Sequence, residues 1–162
     1  IDSGARAHSP EFVAKLVDEV AKGGDAEVGK SIYNRAELTC IACHQIGGQG
    51  GVIGPSLDTV GAGLSPDLLV ESVLWPQRQL KEGYFSITVR TKSGDVFAGY
   101  REGEADGMFH LRDMATGAVK EFPQKEITRI ENTGSLMPEG LTNGLSREEL
   151  RDLVAYLASL RG

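Results

Sequence analysis

The sequence predicts an α+β chain that is helical at both ends, with a small antiparallel sheet or barrel in the middle. Three observations carry this. Apolar residues recur at helical spacing over 10–22, 66–74 and 147–160. Strict alternation takes over at Phe85, and turn signals then punctuate the chain about every ten residues. Composition agrees: 40% hydrophobic and 25% charged residues suit a globular chain, and no apolar run approaches the roughly 20 residues of a membrane span.

Charge excludes further classes. The formal charge is −6, and residues 1–64 hold 5 basic against 8 acidic residues. No stretch carries a basic block, so no nucleic acid or anionic lipid partner is expected. The chain begins at Ile1 without Met, which suggests a processed form or an excised domain.

Residues 1–24 read as a tail and a connector helix. Ser9-Pro10-Glu11 supplies an N-cap, a proline at the first helical position and an early acid; Phe12, Val13, Leu16, Val17 and Val20 follow, and Gly23-Gly24 stops the run. Asp25 caps a second helix over 26–34. Residues 45–64 read as a glycine-rich loop; a phosphate loop would need a following Lys-Ser/Thr and a preceding strand, both missing. Ser65-Pro66-Asp67 opens a third helix that Trp75-Pro76 ends. Five short strands are then expected at Phe85–Thr91, Val96–Arg101, Met108–Asp113, Val119–Phe122 and Ile127–Ile130. Ser146-Arg147-Glu148-Glu149 is a capping box for the final helix.

The chemistry gathers at Cys40-Ile41-Ala42-Cys43-His44. Two thiols separated by two residues, followed by histidine, form the attachment pattern for a c-type haem. Each thiol can add to one porphyrin vinyl group, and the adjacent imidazole can ligate the iron. A structural zinc site would need four ligands, and the chain has one cysteine pair and three scattered histidines. A thioredoxin-like pair would follow a strand in a βαβ unit, which is absent; a simple surface disulfide remains open.

A second axial ligand is then expected. Met137 stands first, because it lies in a loop with Pro138 fixing the next φ, just before the last helix. Met108 and Met114 lie at the ends of an expected strand and read as packing. His8, in the tail, and His110, opposite Phe109 and Leu111 on its strand, read as solvated side chains, with His110 or an open iron position as the alternatives to Met137.

Residues 25–84 plus 132–162 resemble a class I c-type cytochrome. The resemblance rests on Gly29 and Tyr33, Cys40–His44, Gly54-Pro55-Ser56-Leu57, Met137-Pro138 and a final helix with Tyr156. It implies a mainly α cytochrome c fold in which the first and last helices cross closely at Gly29 and Tyr156. It also implies one haem c attached through Cys40 and Cys43, with the Pro55 carbonyl accepting a bond from His44. Met137 follows His44 by 93 residues, and residues 85–131 form an inserted β subdomain in that gap. With Gly83-Tyr84 before the strands and Ser135-Leu136-Met137-Pro138-Glu139-Gly140-Leu141 after them, the chain is similar to the C-terminal haem-binding domains of large planctomycete-type multidomain proteins.

Trp75, Arg78, Lys81 and Tyr84 are candidate donors to haem propionates, with plain core or solvated charge as the alternative. Leu57, Leu64, Leu68 and Leu136 are candidate pocket wall. The expected function is electron transfer with His44 and Met137 on the iron, not enzymatic turnover. Implied by the resemblance are a periplasmic or equivalent extracytoplasmic location, a dehydrogenase donor and a downstream carrier or oxidase. A five-coordinate gas sensor or peroxidase-like enzyme, and a docking role for the sheet, are the rival readings.

Overall fold

The structure, a computed structural model, describes residues 6–79, 85–113 and 116–162. The chain divides into two compact units, residues 1–79 with 138–162, and residues 80–137.

The first unit is helical. In α1 (Pro10–Gly23) the Ser9 hydroxyl accepts from the Phe12 N–H at 3.2 Å, and Val13 and Leu16 are buried. In α2 (Ala26–Tyr33) one Asp25 carboxylate oxygen accepts from the N–H groups of Glu27 and Val28. A single turn, α3 (Cys40–Cys43), follows. Within the stretch expected to be all loop, β1 (Gln45–Ile46) pairs with β2 (Gln49–Gly50). Gly47 (φ 59°) and Gly48 (φ 78°) form the two-residue turn between them, where both central positions need positive φ. The same stretch holds α4 (Val60–Gly63), whose Gly61 N–H donates to the Leu160 carbonyl at 2.8 Å. α5 (Pro66–Leu74) ends before Pro76, and α6 (Arg147–Ser159) carries the full capping box between Ser146 and Glu149.

These helices share one core. Leu16 from α1, Ile32 and Tyr33 from α2, Val70 from α5, and Leu153 and Val154 from α6 are all almost fully buried within it. The α2–α6 approach depends on Gly29. A Cβ there would fall 1.9 Å from the Asp152 carbonyl oxygen and 2.7 Å from the Tyr156 Cβ. Only a residue without a side chain lets the two backbones come this close. The Asp152 carboxylate secures the crossing by accepting from the Asp25 N–H at 3.0 Å.

The second unit is a five-stranded antiparallel sheet of β3 (Phe85–Thr91), β4 (Val96–Ala105), β5 (Met108–Asp113), β6 (Val119–Pro123) and β7 (Ile127–Ser135). Their order is β6-β5-β4-β3-β7, and among the described residues the edges β6 and β7 do not pair, so this is an open sheet. One face buries Ile87, Val89, Phe109, Leu111 and Phe122. β4 extends past Arg101 through an irregularity between Arg101 and Gly103.

The expected boundary at 131 shifts. β7 runs on to Ser135, opposite Phe85, and the unit takes in Met137. A break in register between Ser86 and Ile87 accommodates Thr133, whose hydroxyl lies 2.7 Å from that of Ser86. No helix among the described residues is long and apolar enough to cross a membrane.

Candidate haem site

The Cys40–Cys43 turn puts its two sulfurs three residues apart, the spacing that places side chains on one side of a helical turn. Neither cysteine is in a disulfide, and both are half-buried. Burial pushes the Cys40 thiol up from its ordinary value, so it stays protonated at neutral pH.

His44 follows the turn in extended backbone, and its Nδ1 lies 2.8 Å from the Pro55 carbonyl oxygen. A carbonyl can only accept, so Nδ1 carries the hydrogen and Nε2 keeps the lone pair. The hydrogen bond therefore selects the tautomer that can ligate a metal through Nε2.

The glycines of the following loop make this geometry possible. A Cβ on Gly54 would fall 2.6 Å from Cε1 and 2.8 Å from Nδ1 of His44, so the imidazole rests directly on that glycine. A Cβ on Gly51 would fall 1.9 Å from the Ala42 carbonyl oxygen. The loop is bonded to the motif by Gly51 N–H to Ile41 O at 2.9 Å and Gly54 N–H to Cys43 O at 2.7 Å. Leu57 N–H to Gln45 O at 2.9 Å closes the loop beyond Pro55. Glycine density alone signals such a loop, but the individual roles of Gly51 and Gly54 escaped sequence reasoning. Tyr33, one of the residues that carry the resemblance, has its hydroxyl 3.4 Å from the His44 carbonyl oxygen and its pKa pushed up to about 12, chiefly by burial and then by Cys40.

Two free thiols on one turn, a tautomer fixed for ligation and a ring seated on glycine fit a covalently attached haem. Zinc does not fit. Among the described residues no three His, Cys, Asp or Glu side chains gather as a metal cage.

A family model of cytochrome c matches residues 26–161. The chain belongs to the cytochrome c family. Cytochrome c domains hold haem covalently through paired cysteines, are generally electron carriers and are typically extracytoplasmic. No curated protein matches the chain.

Other expected site residues of this cytochrome c domain fall into place unevenly. Leu57 and Leu64 pack against the edge of the helical core. Of the two readings of Trp75, the core one describes its place here: its indole N–H donates to the Arg6 carbonyl at 2.5 Å, and the side chain is buried. Arg78 is exposed, and Tyr84, Lys81 and Met114 lie outside the described residues. His8 is not a solvated tail residue. Its Nε2 lies 3.1 Å from Glu71 Oε1, and its ring meets Trp75 edge-on at 4.8 Å. His110 stands 3.7 Å from Glu121, on the strand face opposite Phe109 and Leu111. Met137 is half-buried at the end of the second unit, and its N–H donates to the Ser135 hydroxyl at 3.1 Å.

Proposed function

We propose that this cytochrome c domain relays single electrons between protein partners through one haem c, with His44 and Met137 as its axial ligands. When bound, the haem supplies a one-electron Fe(III)/Fe(II) couple, which a thioether ligand shifts toward the reduced state. Cys40 and Cys43 would hold it covalently, each through a thioether to one of its vinyl groups. His44 offers Nε2. The Pro55 carbonyl, held between two backbone hydrogen bonds, fixes the ring orientation and raises the basicity of that nitrogen. Met137 offers a thioether from a segment stiffened by Pro138. Leu57, Leu64 and Leu68 limit the approach of water. With His44 and Met137 both holding the iron, no position would be left for a substrate, which favours a carrier over an enzyme.

In this reading the β3–β7 sheet is inserted into a mainly α cytochrome c fold, between the two ligands. The Ser135–Leu141 stretch supports a place in a larger multidomain protein of planctomycete type. A periplasmic-type compartment follows, with a dehydrogenase as donor and an oxidase-linked carrier as acceptor.

The observation that carries the proposal is the His44 Nδ1 to Pro55 hydrogen bond beside two free thiols on one turn. The optical spectrum of the oxidised protein tests it. The weak long-wavelength Fe(III)–sulfur band is expected, and Met137→Ala should abolish it. Retention of the band in that variant refutes Met137 as ligand. Rapid CO binding by the unmodified ferrous protein would instead establish the gas-sensor reading.

A further inference from the structure

The open sheet of the second unit has two edges, and they are not alike. β6 is five residues long and ends on Pro123, which has no N–H to offer an incoming strand. β7 runs for nine residues without proline, and its residues 128–133 are all exposed. A free row of N–H and C=O groups of this length is a template for another strand. Two irregularities in the β3–β7 pairing, at Thr128 and Thr133, leave residues 129–132 as the regular stretch between them.

Within that stretch the side chains divide by face. Ile130 stands opposite the fully buried Val89, so it shares the apolar face of the sheet, yet it is 38% exposed. Arg129 and Glu131 lie on the other face as an ion pair at 2.6 Å, with 69% and 48% of their side chains exposed. Arg129 also stands directly opposite Arg90 of β3, and like charges across a strand pair are destabilising. An acid arriving on the open side of Arg129 would offset that pair.

We infer that β7 pairs with β7 of a second copy of this chain, antiparallel about a two-fold axis at Ile130, joining the two sheets edge to edge. Charge sets the register. An antiparallel two-fold matches residues whose numbers sum to a constant, and each must meet a residue of its own face. Centred on Ile130, the axis sets Ile130 against its own copy, Arg129 against the second copy's Glu131, Glu131 against Arg129, and Thr128 against Asn132. Moving the axis to Arg129 or to Glu131 would set that charge against itself. Ile130 and its copy then cover each other on the apolar face, which continues from one sheet into the next. The contact uses no residue of the haem site and stands independently of the electron-carrier reading.

Five paired residues span about 17 Å, a small interface, so the expected dissociation constant is on the order of 0.1 mM. Sedimentation of the full haem-loaded chain, from about tenfold below to about tenfold above that value, should show a monomer passing into a dimer. Over the same range the amide resonances of β7 should shift while those of β6 stay fixed. Arg129→Glu and Glu131→Arg should each weaken association about 20-fold at about 0.15 M salt. That is the screened effect of turning two attractive pairs about 5 Å apart into repulsive ones. An equal mixture of the two variants restores opposite charges at both contacts and should associate about as tightly as the parent, which no loss of folding in either variant could produce. A parent that stays monomeric throughout would overturn the edge pairing. So would concentration-dependent shifts confined to residues outside β7, or a mixture that associates no better than either variant alone.

Discussion

Gly29→Ala places a methyl group against backbone that has little freedom to yield. The new Cβ would lie 1.9 Å from the Asp152 carbonyl oxygen and 2.6 Å from its carbon. Carbon and oxygen in contact normally stand about 3.3 Å apart, so α2 and α6 must separate by about 1.4 Å. Gaps of this size forfeit a quarter to a half or more of the dispersion energy along the contact. Overpacking of this kind costs about 1–3 kcal/mol and at backbone contacts more, so we take about 4 kcal/mol here. Alanine recovers about 1 kcal/mol over glycine through helix propensity. The net loss is about 3 kcal/mol, or about 6–12 °C in Tm for a chain of this size. Urea unfolding followed through the indole N–H resonance of Trp75, the only tryptophan, reports on this unit directly. Gly63→Ala is the control, since a Cβ there meets nothing within 4 Å. A Gly29→Ala midpoint equal to that of the control would refute the close-crossing argument.

Gly54→Ala should push the His44 ring off the Pro55 carbonyl. Nitrogen-15 NMR of the imidazole is expected to show loss of the single Nδ1–H tautomer, and an unchanged tautomer would refute the role given to Gly54. Ser146→Ala removes the hydroxyl that accepts from Glu149 N–H at 3.1 Å and should destabilise the helical unit by about 1 kcal/mol, read from the denaturation midpoint. The hydrogen bond from Arg151, aided by the Asp25 N–H, holds the Asp152 carboxyl below the usual carboxylate range. Stability from this group is therefore present above the unfolded-state pKa near 4 and is lost as pH falls through the lower folded value. Asp152→Asn should accordingly be less stable than the parent at pH 7, and the two midpoints should converge as pH falls through the lowered folded-state value.

Helix ends were readable because their signals are local. Ser9, Asp25 and Ser146 each cap through a bond to an N–H two or three residues away, so residue type and spacing suffice. The hairpin at Gln45–Gly50 was not readable in the same way, since strands of two residues show no period and the turn is carried by the φ angles of two glycines. The end of β7 was missed because Glu131, Asn132 and Thr133 are all exposed on an edge strand, and a run of polar residues reads as loop. Within the site, the cysteine pair and His44 are legible as a motif. The Pro55 contact came only through family resemblance. The partner of Trp75 was not legible, because the Arg6 carbonyl is backbone 69 residues away and no side-chain pattern announces it.

The pairing of β3 with β7 has a topological consequence. The sheet unit starts and finishes on neighbouring strands, with Phe85 opposite Ser135. To the helical unit, the detour of about 60 residues therefore behaves as a tether of about eight, the length left outside the paired ends. Loop closure grows with the logarithm of length, so a folded sheet spares the helical unit about 2 kcal/mol relative to an unstructured insert. Unzipping these two strands would lengthen the tether without breaking one contact among the helices, and the penalty would appear as lost stability in the unit that had not been touched.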